Sequence, residues 1–233
     1  MIDILLAGVG GQGTVLAAKV LAQAAQSKGW QVRTAETIGM AQRGGNVTSH
    51  VRMGSNGEAE YSPLITPGTA DMVIALEPGE AARALPYLAP GGVLVTATTA
   101  IQPVTAALAS QPYRAGDVVA ALANSLQAEA SHEQAAETIV APNTVTADQD
   151  ASADGVEGYP VPLFIPVDDE ALVREAGAGS RKSLNMMLLA VAVAQGRVPL
   201  TVDELKDAVR ACVKPQFVAM NLAAIDTAVA NFG

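Results

Sequence analysis

Six residues near the start of the chain, GVGGQG at positions 8–13, set Gly8, Gly10 and Gly13 at the spacing G-x-G-x-x-G, with Gly11 and Gln12 between them. Between a strand and a helix, such glycines permit a tight turn and a close backbone approach. The amide groups that open the helix then face an anion. The bland reading is a tight turn whose small residues serve packing alone. A second stretch, Gln42, Arg43, Gly44, Gly45 and Asn46, brings a guanidinium, two side-chain amides and exposed backbone donors. That set suits a phosphate, a carboxylate or the backbone of a partner. A purely structural loop, with Arg43 paired to Glu36 or Glu77, would use the same residues. Glu36 also stands roughly where a dinucleotide enzyme keeps the acid that holds a ribose.

Other candidates carry less. His50 falls in an expected strand and reads as a satisfied structural histidine, His132 as an exposed one. The lone Cys212 sits on an amphipathic helix as a small core residue. Met186, Met187 and Met220 read first as core fillers. Arg181, Lys182 and Asn185 fall at a helix start, where a cap with solvated charges is the plain alternative. No catalytic residue and no metal-ligand set is assigned.

The elements that must position these groups follow from patterning. Residues 2–7 are a short apolar run ending in glycine, the mark of a buried parallel strand. Residues 14–28 form a helix of small side chains that Gly29 stops. Strands are expected at 30–34, 46–53, 70–76 and 93–96, a helix at 79–88, and turns at 55–57 and 90–92. Residues 159–166 read as a proline-bearing edge strand. Helices follow at 168–176, 183–195, 201–212 (capped by Thr201) and 216–230. The class is α/β: a doubly wound, Rossmann-like, mainly parallel sheet flanked by helices, in one domain over residues 1–233. Residues 111–158 are polar and acidic, and read as a variable insertion around a modest helix. In such a sheet the glycine loop and residues 36–46 meet at the carboxyl edge.

The chain has 233 residues, half of them apolar but only 3% aromatic, so its core is built of small side chains. With 14 basic against 23 acidic residues and a net charge of -9, nucleic-acid and anionic-membrane partners are not expected. One cysteine excludes an internal disulfide and a self-contained iron–sulfur cluster, which needs about four thiolates. The N-terminal apolar run lacks the features of a signal peptide and is too short to span a bilayer, so the cytoplasm is the expected compartment.

Three segments, GVGGQG, TIGMAQRGGNVTSHVR and ADMVIALEPGEAARALPYLAPGG, resemble the gamma-type subunit of 2-oxoacid:ferredoxin oxidoreductases. The GMAQRGG…SHVR version is most similar to the beta subunit of the indolepyruvate branch. The later GSRKSLNMMLLAVAVAQGRVPLTVDELKDAV is similar to a second region of that family, with Lys182 and Asn185 on its pattern. The resemblance covers residues 1–108 and 160–230.

The resemblance implies an accessory subunit of a complex that oxidatively decarboxylates a 2-oxoacid, indolepyruvate or another aryl-pyruvate, to an acyl-CoA. Thiamine diphosphate, Mg²⁺ and iron–sulfur clusters would be held by a larger partner chain that passes electrons to ferredoxin. This chain has neither the cysteines nor a G-D-G-like thiamine diphosphate motif. In some members the gamma domain helps to bind coenzyme A. By that likeness Gly10, Gly11, Gln12, Gly13, Arg43, Gly44 and Gly45 would line the edge facing the cofactor cleft. Residues 111–158 are longer than the family's usual connection, which leaves the substrate open. Self-association of the isolated chain, through the apolar surface that normally meets its partner, is a further expectation. Two other readings remain: a stand-alone NAD(P)-dependent dehydrogenase built on Gly8 to Gly13 and Glu36, and a non-catalytic nucleotide-binding assembly module.

Overall fold

The computed structural model describes residues 1–39, 45–54, 62–101, 113–139, 162–177 and 181–233, with the backbone alone for 128–139. Gln42, Arg43 and Gly44, and the expected turn at 55–57, lie outside these residues.

Alternation in the first strand, β1 (Ile2–Val9), decides how the layers form. Ile4 and Leu6 face one side, Leu5 and Ala7 the other, and all four are buried. A strand apolar on both faces needs cover on both. Five more strands complete the sheet: β2 (Gln31–Ile38), β3 (Asn46–Gly54), β4 (Ala70–Ala75), β5 (Leu88–Ala97) and β6 (Leu163–Val167). Their order is β2-β3-β1-β4-β5-β6. The β1–β4, β4–β5 and β5–β6 pairs are parallel, while β3 runs antiparallel to both β1 and β2. Every strand except β3 therefore points the same way, as the expected mainly parallel sheet requires.

One face carries α1 (Thr14–Ser27), α5 (Leu184–Ala194), α6 (Val202–Cys212) and α7 (Pro215–Phe232). Many of their contact residues are small, with Ala17, Ala18, Ala24 and Ala25 on α1 and Ala224 and Ala228 on α7, set among larger ones such as Leu21, Leu205 and Ile225. Helix α5 has a different character. Its residues from Leu184 to Val193 are all buried, so it is enclosed between sheet and helices. Burying one Leu or Met side chain there contributes about 1.5–3 kcal/mol. The other face carries α2 (Pro78–Ala84) and α3 (Ala115–Ile139), which contribute Ala81, Ala84, Leu122 and Leu126. Helix α4 (Asp169–Glu175) follows β6. No helix among the described residues is long and apolar enough to cross a membrane.

Four expectations need adjustment. The second strand does not stop at residue 34. It runs to Ile38, because β3 pairs its whole length from Gln31↔Gly54 to Ile38↔Val47. The helix expected at 79–88 ends at Ala84 and tightens into a 3-10 turn at Leu85–Tyr87, since Pro86 has no N–H to continue it. The residues Pro90, Gly91 and Gly92 lie inside β5 as an irregularity rather than a turn, where pairing jumps from Ala70↔Leu88 to Met72↔Val93. A side chain at Gly92 would meet the Ala89 carbonyl oxygen at 2.9 Å. Last, the modest helix of the acidic stretch is α3, 25 residues long.

Candidate functional site

The glycine turn sits where β1 leaves the sheet. The N–H of Gly10 donates to the carbonyl of Gly45 at 2.8 Å, which joins the turn to the start of the β3 stretch. The two segments therefore meet at the carboxyl edge. Gln12 holds the turn closed. Its Oε1 accepts from the N–H of Val9 at 2.6 Å, and its Nε2 donates to the carbonyl of Leu76, just beyond β4, at 2.7 Å. The Gln12 amide is thus spent on bracing adjacent strand ends. A Cβ at Gly8 would lie 3.0 Å from both Gln12 Oε1 and Thr14 Oγ1, so Gly8 serves packing behind the turn.

Gly13 precedes α1 with φ 85°, a left-handed conformation that favours glycine. Helix α1 begins without a side-chain cap and without an acid in its first turn. Its leading N–H groups and the positive end of its dipole are left to whatever enters from the edge. Asn185, on the buried helix α5, donates from Nδ2 to the Gly13 carbonyl at 3.1 Å and accepts from the N–H of Met186 at 3.0 Å.

These groups border a cleft of about 520 Å³. Gly10, Gly11, Gln12 and Gly13 form one wall, and Arg181, Lys182 and Asn185 another. Val9, Leu16, Ile101 and Leu184 make the remaining lining apolar. Arg181 and Lys182 belong to a 3-10 turn, Arg181–Ser183, that leads into α5. Arg181 is fixed from behind: its Nη2 lies 2.5 Å from Oδ2 of Asp169, a fully buried carboxylate. Asp169 Oδ1 accepts from the N–H groups of Thr98 and Thr99 at 3.1 and 2.9 Å. One buried acid thereby ties the loop after β5 to the cationic turn. Sequence reasoning missed Asp169, Leu16, Ile101 and Leu184. Asp169 opens α4, and the sequence marked that region only as a short helix at 168–176.

Not every candidate reaches the cleft. Gly45 is bonded to Gly10 but does not line the cleft, and Asn46 lines a smaller cavity on the other face of the sheet. Glu36 is not beside β1. It lies exposed on β2, opposite Ser49, with all of β3 between it and the glycine turn. Two strand spacings of about 4.8 Å separate their backbones, so the ribose-holding role suggested for Glu36 does not fit. Glu77 caps α2, accepting from the N–H of Glu80 at 3.0 Å, and also accepts from the Tyr113 hydroxyl at 2.7 Å. Burial, with this bond to a carboxylate, pushes the Tyr113 hydroxyl well above the usual phenol range. His50 is buried, and its Nδ1 accepts from the N–H of Ile65 at 3.2 Å, which puts the ring proton on Nε2. Cys212 is half-buried, with Sγ 3.9 Å from the Lys19 carbonyl, and burial pushes its thiol up. Among the described residues no three His, Cys, Asp or Glu side chains converge as metal ligands.

The sequence and the fold have counterparts among known proteins. A family model described as pyruvate ferredoxin/flavodoxin oxidoreductase matches residues 3–231. The chain is 31% identical over 226 residues to an indolepyruvate oxidoreductase subunit IorB from Archaeoglobus fulgidus, covering 96% of this chain and 92% of that one. In fold it is similar to the gamma subunit of a keto/oxoacid ferredoxin oxidoreductase from Geobacter sulfurreducens, with TM-score 0.56, 20% identity, and coverage of 99% and 97%. It is also similar to part of a 2-oxoglutarate:ferredoxin oxidoreductase from Magnetococcus marinus solved with 2-oxoglutarate, coenzyme A and succinyl-CoA bound. There the TM-score is 0.60 and the identity 18%, over 98% of this chain and 30% of that one.

Proposed function

The chain belongs to the pyruvate ferredoxin/flavodoxin oxidoreductase family, and from that premise we propose that it is the accessory subunit of an indolepyruvate or other aryl-pyruvate:ferredoxin oxidoreductase. In this reading it has no turnover of its own. A larger partner chain holds thiamine diphosphate, Mg²⁺ and the iron–sulfur clusters. The single cysteine here cannot ligate a cluster, so electron transfer is not routed through this chain. The reaction splits carbon dioxide from the 2-oxoacid, joins the acyl group to the thiol of coenzyme A, releases a proton and gives two electrons to ferredoxin.

One observation carries the reading: the glycine turn, the uncapped start of α1 and the Arg181 turn converge on one cleft at the carboxyl edge. Those parts fit an anionic group attached to an apolar body. Backbone N–H groups and the Arg181 guanidinium would hold a phosphate, as they do at other helix starts. Leu16, Ile101 and Leu184 would lie against the less polar remainder. Coenzyme A has that make-up, and it is bound in the Magnetococcus marinus relative. Gly45 then belongs to the rim that meets the catalytic chain. The role of this chain is to bind and orient, and to keep water from the partner's reacting centre.

Affinity purification of the tagged chain from its native cells tests the proposal. A large chain with several Cys-x-x-Cys clusters should co-purify, and the pair should oxidise indolepyruvate with coenzyme A and ferredoxin. Arg181→Ala should raise the KM for coenzyme A while leaving the pair assembled. Turnover by the isolated chain, or saturable micromolar binding of NADH to it, would overturn the assignment in favour of a stand-alone dehydrogenase.

A further inference from the structure

The second face of the sheet holds a cavity that the glycine cleft does not explain. It measures about 190 Å³ and lies between β3 and α2. Its floor is Leu5 and Ala7 of β1, and its polar walls include His50, Glu80, Arg83, Asn46 and Tyr87. Two of these side chains are nearly inaccessible yet only half satisfied. Glu80 and His50 are each 4% exposed. Glu80 gives one carboxylate oxygen to Arg83, and nothing among the described residues takes the other. His50 uses Nδ1 to accept from Ile65, and its Nε2 has no partner among the described residues. Both atoms open onto the cavity rather than being sealed in the protein, so water answers them until a ligand with matching groups takes its place.

The chemistry of the walls narrows the occupant. Burial pushes the Glu80 carboxyl up, against the pull of Arg83, and pushes the His50 ring down. The imidazole therefore offers an N–H without a charge. A simple anion would be drawn to Arg83 but repelled by Glu80. A simple cation would meet the reverse. A ligand with both charges a few ångströms apart satisfies the pair and adds no net charge to the cavity. The volume holds about six water-sized groups, at roughly 30 Å³ each.

We propose that this cavity binds a small α-amino acid as its zwitterion, with the ammonium on Glu80 and the carboxylate on Arg83 and the His50 Nε2–H. The site lies across the sheet from the glycine cleft and does not rest on the function assigned there. It gives the chain a means of responding to amino-acid supply that is separate from the docking rim.

The test is a titration of the full chain with L-alanine and L-serine, followed by calorimetry and by the imidazole ¹⁵N resonances of the two histidines. Saturable binding in the millimolar range should shift the His50 resonances and leave those of His132 in place. Glu80→Gln and Arg83→Ala should each weaken it at least about tenfold. The Arg83 side chain is 66% exposed, so its loss removes little packing, and circular dichroism of both variants checks that the fold persists. Arg181→Ala, on the opposite face, should bind as the parent does. Three results would overturn the proposal: neither heat nor shift at tens of millimolar, binding that survives both variants, or acetate binding as tightly as alanine, which would make the cavity an anion site only.

Discussion

Asn185 and Gly13 are 172 residues apart in sequence, yet the side-chain amide of the first donates to the carbonyl of the second at 3.1 Å. A Cβ on Gly13 would stand 2.5 Å from that amide nitrogen. The enclosed helix α5 is thus used as a rigid post, and the start of α1 is set against it.

Gly13→Ala is expected to cost the strain of the left-handed conformation, about 1–3 kcal/mol, plus the displacement of Asn185. Asn185→Ala alone should cost about 0.5–1.5 kcal/mol, the net worth of one hydrogen bond, since the Gly13 carbonyl keeps the N–H of Ala17 as a partner at 3.0 Å. The double variant should cost less than the sum, because removing the amide removes the clash. Urea unfolding of all three variants measures this, and strict additivity would show that the two residues do not bear on each other.

Gln12→Glu separates bracing from ligand contact. The new carboxylate keeps an acceptor for the Val9 N–H but points a second one at the Leu76 carbonyl, where Gln12 now donates. We expect a loss of about 1–3 kcal/mol. Gln12→Met, with no polar atom to misplace, should be milder. Equal stability of the parent and the Glu variant in chemical denaturation would show that the bond to Leu76 contributes nothing.

Asp169→Asn keeps acceptor oxygen for the Thr98 and Thr99 amides but removes the charge behind Arg181. Breaking a fully buried ion pair from one side costs about 3–5 kcal/mol, and the partial exposure of Arg181 lowers this to about 1–3 kcal/mol. Arg181→Met should partly restore the stability of the Asn variant, since no unpaired cation remains. Calorimetric melting of the single and double variants gives the answer.

His50 makes stability depend on pH. Burial holds its native value below that of an ordinary imidazole, so on acidification the unfolded chain takes up a proton before the native one does. Stability is full above that unfolded value, falls as the pH drops through it, and levels off below the native value. Glu80 and Asp71, both pushed up by burial, titrate in the opposite sense: acidification protonates the native form first, and stability is gained. His50→Asn retains an acceptor for Ile65 and abolishes the first contribution alone. Between about pH 7.5 and 5.5 the parent should lose stability relative to this variant, by no more than about 1.4 kcal/mol per pH unit. Urea midpoints that track each other across this range would contradict the burial of a neutral ring.

Local pattern was enough wherever one segment carries its own reason. The apolar run of β1, the glycines after it, the Thr201–Glu204 capping box of α6 and the unbroken apolar face of α5 were all legible, because each depends on neighbours within a few residues. The edge position of β6 followed from its prolines. The residues Ala35, Glu36, Thr37 and Ile38 were not legible as strand. They lack alternation and are mostly exposed, and only pairing with β3 extends them.

What the chain alone determined, then, is its family, its layered α/β architecture and the presence of a glycine turn between β1 and α1, since these are written in periodicity and in a few adjacent residue types. Tertiary structure decided which groups share a cavity. It placed β3 between Glu36 and the turn, set Asp169 behind Arg181, and sent Asn46 and His50 to the opposite face. The physical reason is that hydrophobic patterning specifies which side of an element is buried but not which distant element covers it. That choice is made by packing and by the hydrogen bonds that buried polar groups must find.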